Sequence, residues 1–269
     1  MSATGVRPQR GFTILELLVA TSIFLVLCAA MFGLLQLSQQ KYTNETQVSG
    51  AFQETRLAID QIVRDFNVSG FPAYSLFSIV PAVSSQYAVS PVAWDPNYPN
   101  TLCQVGTAGG GTCQTPGDFD LILETDTGDG NGVSWIRYQL QGTVLYRSKV
   151  QKIAGDDPGT DTSQPPVMVP FVTNVMNNPP ATAPVTITQM TANYPTMFPG
   201  GAPQPVFQYT CDTPTGPQPC PTAGIYGVPS NIRDVVVTLI VMTQQPNQQN
   251  QQLELVELTG RGHRVNPSN

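Results

Sequence analysis

Apolar positions fall along this chain in three regimes. Over residues 12–37 they are nearly continuous, with Glu16 the one charge in the run. At 1.5 Å per residue those positions would rise about 39 Å, enough to cross a bilayer, which takes about 20 apolar residues. From residue 38 the chain stays helix-competent but turns amphipathic. Val48, Phe52, Ile59, Ile62, Val63 and Phe66 recur at spacings of three, four and seven, interleaved with Lys41, Glu45, Glu54, Arg56, Asp60 and Arg64. Asn67-Val68-Ser69-Gly70-Phe71-Pro72 then stops the helix, with Gly suited to a C-terminal cap and Pro just beyond. One rod over 12–67, about 84 Å long, is predicted.

Beyond it the pattern changes period. Residues 71–117 are rich in Pro, Ser, Gly and aromatic side chains and read as irregular surface, with 106–112 a loop. Residues 119–124, 134–140 and 144–149 are short β-rich runs separated by Gly/Asp/Asn turns, the pattern of an antiparallel meander. Further strands are predicted at 167–175 and 206–210. Residues 232–243 form the strongest strand, nearly continuous in Val, Leu and Ile and therefore expected to be buried on both faces. The Gln/Asn-rich stretch 244–252 reads as a hairpin tip, 253–258 as a returning edge strand, and 260–269 as a frayed tail.

The polar leader 1–11 carries Arg7 and Arg10 and ends in Gly11, directly before the apolar run. By the positive-inside rule it stays cytoplasmic, and the chain beyond residue 37 is exported. A secretory signal peptide does not fit, because its apolar region is 7–15 residues and is followed by a small-residue cleavage site. Glu16 is the unexplained residue. An ionised carboxylate inside such a span costs a few kcal/mol at the helix centre and less toward an interface, so a cationic partner is expected.

Gly11-Phe12-Thr13-Ile14-Leu15-Glu16-Leu17-Leu18-Val19 resembles the class III signal of type IV prepilins and type II secretion pseudopilins. The resemblance implies cleavage between Gly11 and Phe12 by a prepilin peptidase, N-methylation of Phe12, and pairing of Glu16 with the Phe12 amino group of a neighbouring subunit. Such a pair would set the axial offset between subunits. Residues 55–66 followed by Gly70 are similar to the helix end of large minor pilins of the PilW type and of J-type minor pseudopilins. So are the 118–138 hairpin, Gly142-Thr143-Val144-Leu145-Tyr146-Arg147, Pro170-Phe171-Val172-Thr173-Asn174-Val175 and the 232–239 strand. The family implies an α+β lollipop: a long N-terminal helix packed on an antiparallel β-rich head. The expected organisation is a cleaved leader 1–11, a membrane or filament-core helix 12–37, an amphipathic helix 38–69, a head 70–260 and a flexible tail 261–269. The segments 71–117 and 176–230 depart from the family's pattern. The role implied is a non-catalytic minor pilus subunit, held in the inner membrane with a periplasmic head and then in a surface filament. A type II secretion minor pseudopilin is the alternative. The implied partners are a prepilin peptidase/N-methyltransferase, other pilins or pseudopilins, and an inner-membrane assembly platform. From a different class, a membrane-anchored extracytoplasmic binding protein also fits the anchor.

Charge and cysteines narrow the head. The formal charge is −6, and loss of Arg7 and Arg10 takes the side chains to −8. An acidic exported domain argues against nucleic acid as a partner held by phosphate neutralisation. Only 11% of residues are charged, while 25 Pro and 23 Gly punctuate the chain, which suits a loop-rich β domain. Of five cysteines, Cys28 lies in the apolar run and reads as a packing residue. Outside the cytoplasm Cys103, Cys113, Cys211 and Cys220 read as disulfide partners; four cysteines permit three pairings, of which the local one is favoured because each pair brackets its own loop. No metal is predicted from the cysteines, which lack zinc-ligand spacing. Asp126, Asp129 and Asn131 in a Gly-rich turn are a weak calcium candidate, short of the 6–8 oxygens calcium takes, and the plainer reading is a hairpin turn. The sole histidine, His263, falls in the expected tail without an evident carboxylate to orient it, so no catalytic residue is assigned.

Overall fold

The computed structural model describes residues 11, 13–79, 81, 84–92, 105, 116–153, 156–163, 167–183, 185–220, 226–247 and 252–265. The expectations for Phe12, the 1–10 leader, Cys103, Cys113, the 106–112 loop, 248–251 and 266–269 fall outside these residues.

Helix α1 spans Ile14–Asn67, 54 residues in one rod, about 81 Å long. Thr13 caps its start, and at its end the Val68 amide donates to Arg64 and Phe66 carbonyls before Gly70, at φ +81°, turns the chain away. Its buried residues, Thr55, Ala58, Ile59, Ile62, Asp65 and Phe66, follow the three-and-four spacing of a single stripe. The apolar half is bare: Ile14 is 85% exposed, Leu25 66% and Phe32 67%. Among the described residues, this one helix is long and apolar enough to cross a membrane.

The head is two four-stranded antiparallel sheets. The first is a meander, β1 (Asp120–Asp126), β2 (Val133–Gln141), β3 (Val144–Gln151) and β4 (Val169–Val172), in that spatial order, with the one-turn helix α2 (Pro158–Asp161) between β3 and β4. The turn from β2 to β3 places Gly142 at φ +62°, in the left-handed region that favours glycine. The second sheet contains β5 (Phe207–Cys211), β6 (Gln218–Pro219), β7 (Ile232–Met242) and β8 (Leu255–His263), in the order β6-β5-β7-β8. All five strand expectations upstream of the last hairpin are met, to within a few residues at their ends. Residues 174–177 stitch the two sheets together. The Met176 amide donates to Ile240 O at 2.7 Å, and the Met242 amide to Asn174 O at 2.9 Å. The fully buried Asn177 side chain donates to Thr238 O and accepts from the Ile240 amide, both at 2.9 Å.

Helix α1 runs alongside β8 in the same direction. Asn44 lies by Glu254, Ile59 by Gly260 and Phe66 by Gly262. The two glycines permit this approach: a Cβ on Gly260 would fall 2.2 Å from the Ile59 Cγ2 atom, and one on Gly262 3.0 Å from the Phe66 ring. Ile59, Ile62 and Phe66 thereby join Leu121, Ile136, Leu145, Val235, Val237 and Leu239 in one core. Burial of each such side chain contributes about 1.5–3 kcal/mol. The strand β7 is covered on its second face by the segment carrying α3 (Ile187–Asn193), where Met176, Met190 and Phe198 close over Ile240. Apolar spacing alone does not predict that helix. Thr186 and Gln189 form a capping box at its start, a signal visible in the sequence.

Two expectations are corrected here. The frayed tail does not begin at 260 or 261, because β8 continues to His263 with a full ladder to β7. Residues 68–73 and 87–92 are not simply irregular surface but form a strap along the outer edge of β1. The Gly70 amide donates to Glu124 O at 2.8 Å, the Asp126 amide to Phe71 O at 2.8 Å and the Glu124 amide to Pro91 O at 3.3 Å. Beneath the strap, the buried Glu124 carboxylate accepts from the Val89 and Ser90 amides and from the Lys152 ammonium.

One buried polar group ties the rod to the first sheet. The Asp65 carboxylate accepts from the Tyr138 hydroxyl at 2.6 Å, from Gln61 at 2.7 Å and from Arg147 at 3.0 Å, while Arg147 also donates to the Tyr138 oxygen at 3.0 Å. Burial first, then the Asp65 charge, pushes the Tyr138 hydroxyl far above its ordinary range, so it stays a donor. Replacing Asp65 by Ala leaves Arg147 and Tyr138 without their acceptor and is expected to cost about 3 kcal/mol, whereas Tyr138→Phe should cost about 1 kcal/mol; denaturant unfolding of the full chain in detergent measures both. Gly260→Ala is expected to destabilise by about 1–3 kcal/mol through overpacking against Ile59, read as a lowered unfolding midpoint in the same assay.

Candidate functional site

The residues singled out by sequence at the start of the rod form a helix cap. The Thr13 hydroxyl accepts from the Glu16 amide at 3.2 Å, and the Glu16 Oε2 atom accepts from the Thr13 amide and hydroxyl, both at 3.0 Å. This is a capping box, satisfying backbone donors that the first turn of a helix leaves open. The signal, Thr followed three residues later by Glu before an apolar run, is legible in the sequence, where it competes with the view of Glu16 as a charge awaiting a cation. Gly11 is exposed, with nothing within 4 Å of the place a Cβ would occupy. Thr21 and Ser22 turn their hydroxyls back onto carbonyls three and four residues earlier, so neither presents an unsatisfied donor to an apolar surrounding. Cys28 is a free thiol on the same half of the rod.

The other expected residues are dispersed over the head. Cys211 and Cys220 are joined as a disulfide, the local pairing, which ties β5 to the short β6. Asp126, Asp129 and Asn131 lie in the β1–β2 hairpin turn. There the Asp126 carboxylate accepts from the Gly128 amide at 2.8 Å and the Asp129 carboxylate from the Asn131 amide at 3.0 Å. Gly128, Gly130 and Gly132 all take positive φ, the geometry of a tight turn. The Asp129 carboxylate also accepts from the Lys149 ammonium, whose hydrogen bond chiefly holds its pKa at about 2. A cation would have to displace that ammonium. Among the described residues, no group of three or more His, Cys, Asp or Glu side chains converges on one point.

His263 differs most from expectation. It stands on β8 opposite Asp234, with its Nδ1 atom 2.6 Å from the Asp234 carboxylate, which also accepts from Arg261 at 2.7 Å. An orienting carboxylate is therefore present. It is hidden in the sequence because Asp234 and His263 are 29 positions apart and meet only through the β7–β8 register. Burial alone would raise the Asp234 carboxyl, but hydrogen bonds and charge from Arg261 and His263 outweigh it and hold the group below its ordinary 3.8. The Asn67 side chain, at the end of α1, accepts from the His263 amide at 2.9 Å, so this cluster fastens the last turn of the rod to the last strand.

A bare apolar helix heading an antiparallel β-rich head defines the lollipop architecture of pilin-like proteins. Residues 6–32 match a family model described as the prokaryotic N-terminal methylation motif. That match supports the type IV pilin and pseudopilin superfamily for this chain, and with it a structural, pilin-type role, processing by a prepilin peptidase and assembly with other pilins. No curated protein and no solved structure matches the chain.

A pH dependence arises from Asp234. Its folded pKa is depressed, so its contribution is complete above the unfolded value near 4 and is lost as pH falls through the lower folded value. Asp234→Asn is expected to cost about 2 kcal/mol at pH 7, with the gap to wild type narrowing as pH drops below about 4; unfolding midpoints measured from pH 7 to pH 2 check this.

Proposed function

We propose that this chain is a non-catalytic minor subunit of a type IV pilus, cut between Gly11 and Phe12, N-methylated on Phe12, and inserted through α1. The observation that carries the reading is the methylation motif at the head of an apolar half-rod that, among the described residues, nothing covers. In the free subunit, among the described residues, the Glu16 carboxylate is engaged by Thr13, through one amide and one hydroxyl. Neutral donors of this kind leave the charge unbalanced in an apolar surrounding, where an ammonium interacts far more strongly. Cleavage would create that ammonium on Phe12. Glu16 would then exchange its own cap for the terminal amine of a neighbour, which fixes how far one rod lies along the next. A large head, carrying a strap over β1 and an α3 cover over β7, favours a minor position over a closely repeating shaft subunit. The same geometry serves a type II secretion minor pseudopilin, which shares the motif and the rod.

Mass spectrometry of the mature N-terminus is the direct test: the expected first residue is a methylated Phe12, and an intact Met1 in cells with active prepilin peptidase refutes the reading. Glu16→Gln should leave processing intact yet lower recovery in sheared fibres by about tenfold or more, the effect of losing an ion pair worth at least 1.4 kcal/mol. Equal recovery of variant and wild type would remove the role assigned to Glu16.

A further inference from the structure

The chain closes nearly all of its sheet edges. The outer edge of β1 lies under the strap of 68–73 and 87–92, and the exposed part of β7 beyond β5 is taken up by residues 174–177. The β4 edge is four residues long and contains Pro170, while β6 has only two residues. At the far end of β8, Asn67 accepts from the outward-facing His263 amide and its own carbonyl accepts from Val265. The rest of β8 is different.

The register decides which groups are left over. Asp234 pairs with His263, and the amide of His263 points away from β7, toward Asn67. By the two-residue period, the amides and carbonyls of Arg261, Thr259 and Glu257 also point away from β7. The partners of Thr259 and Glu257 on β7 agree, because Thr238 and Ile240 direct their amides to the opposite side, toward Val206 and Asn177. Among the described residues, no group satisfies the outward amides and carbonyls of Glu257, Thr259 and Arg261.

A groove lies next to this open edge. Beside the start of β8 it runs along α1 with a volume of about 590 Å³, lined by Val48 and Phe52 together with Lys41, Glu45 and Glu254. The second groove on α1, by Gln47, Glu54 and Asn174, lies on the β7 side of the rod. The first therefore flanks the β8 edge. Val256 and Leu258 face α1, while Glu257 and Thr259 stand on the opposite face. Around the groove and the edge the acids Glu45, Glu254 and Glu257 outnumber the bases Lys41 and Arg261.

We propose that the outer edge of β8 is completed by an extended segment of another subunit, with apolar side chains against Val48 and Phe52 and basic or polar ones beside Glu257. Main-chain hydrogen bonds to Glu257, Thr259 and Arg261 would hold the segment, and the alternation of its side chains would select it. The proposal rests on the filament reading above. This chain would then receive a strand from its neighbour in addition to packing its rod against others.

Amide hydrogen exchange of the full chain, compared between detergent and sheared fibres, tests this. The Glu257, Thr259 and Arg261 amides are expected to exchange at least about tenfold more slowly in fibres. Thr259→Pro deletes an outward amide while sparing the bonds to β7, as proline is tolerated where the amide faces solvent. It should lower fibre content several-fold, while Thr259→Val, which keeps the amide, should not. If the chain is in fibres and these amides exchange as fast as in detergent, strand addition is wrong and the filament reading stands. If the processed chain never enters fibres, the filament reading fails and the pairing with it.

Discussion

The seam between α1 and β8 is the contact on which the rest of the head is assembled. A rod this long has no internal way to choose which side faces the sheet. The choice is made by Ile59, Val63 and Phe66 meeting two glycines, where any larger residue on the strand would hold the helix away. Close approach brings Asp65 within reach of Tyr138 and Arg147 on the other sheet. It also brings Asn67 to the end of β8. The Asp65 contacts are buried or half-buried and therefore costly to leave incomplete, so they fix the rotation of the rod as well as its position.

The rod answers to two surroundings along its length. The same helical backbone is covered from Thr55 to Phe66 by a hydrophobic core and is bare from Ile14 through the apolar half. Between them lies the stretch carrying Lys41, Asn44 and Glu45, polar on the outside and grooved on both flanks. Such a division is stable only if the bare half is taken up by something apolar, whether lipid or the helices of other subunits. The methylation motif at its start is consistent with a passage from one to the other.

Much of this is legible in the sequence because it is periodic. The 3.6-residue stripe from Val48 to Phe66, the alternating runs of β1 to β3 and the dense Val/Ile content of β7 each reflect burial on a known face. The Gly11–Glu16 signal is legible for another reason: local spacing alone carries it. The features that escape the sequence depend on contacts across long separations. His263 gains its carboxylate only through strand pairing. Glycines 260 and 262 look like the start of a tail until a helix is laid against them. The strap of 68–73 and 87–92 has no periodicity because its backbone bonds to one edge of β1 rather than to a ladder of its own. The capping boxes at Thr13 and Thr186 are local signals as well, and a search for apolar periodicity overlooks them.

The stitch at 174–177 bears on how the head responds to traction. Because Asn177 and Met176 bind β7 while β4 continues into the first sheet, the two sheets cannot slide apart without breaking several buried hydrogen bonds at once. The rod lies parallel to β8, so a pull on its bare apolar end loads the interface in shear, spread over many contacts. A peeling load would instead break them one at a time. A head built this way resists being drawn off its rod along the rod axis and yields more readily to a sideways lever.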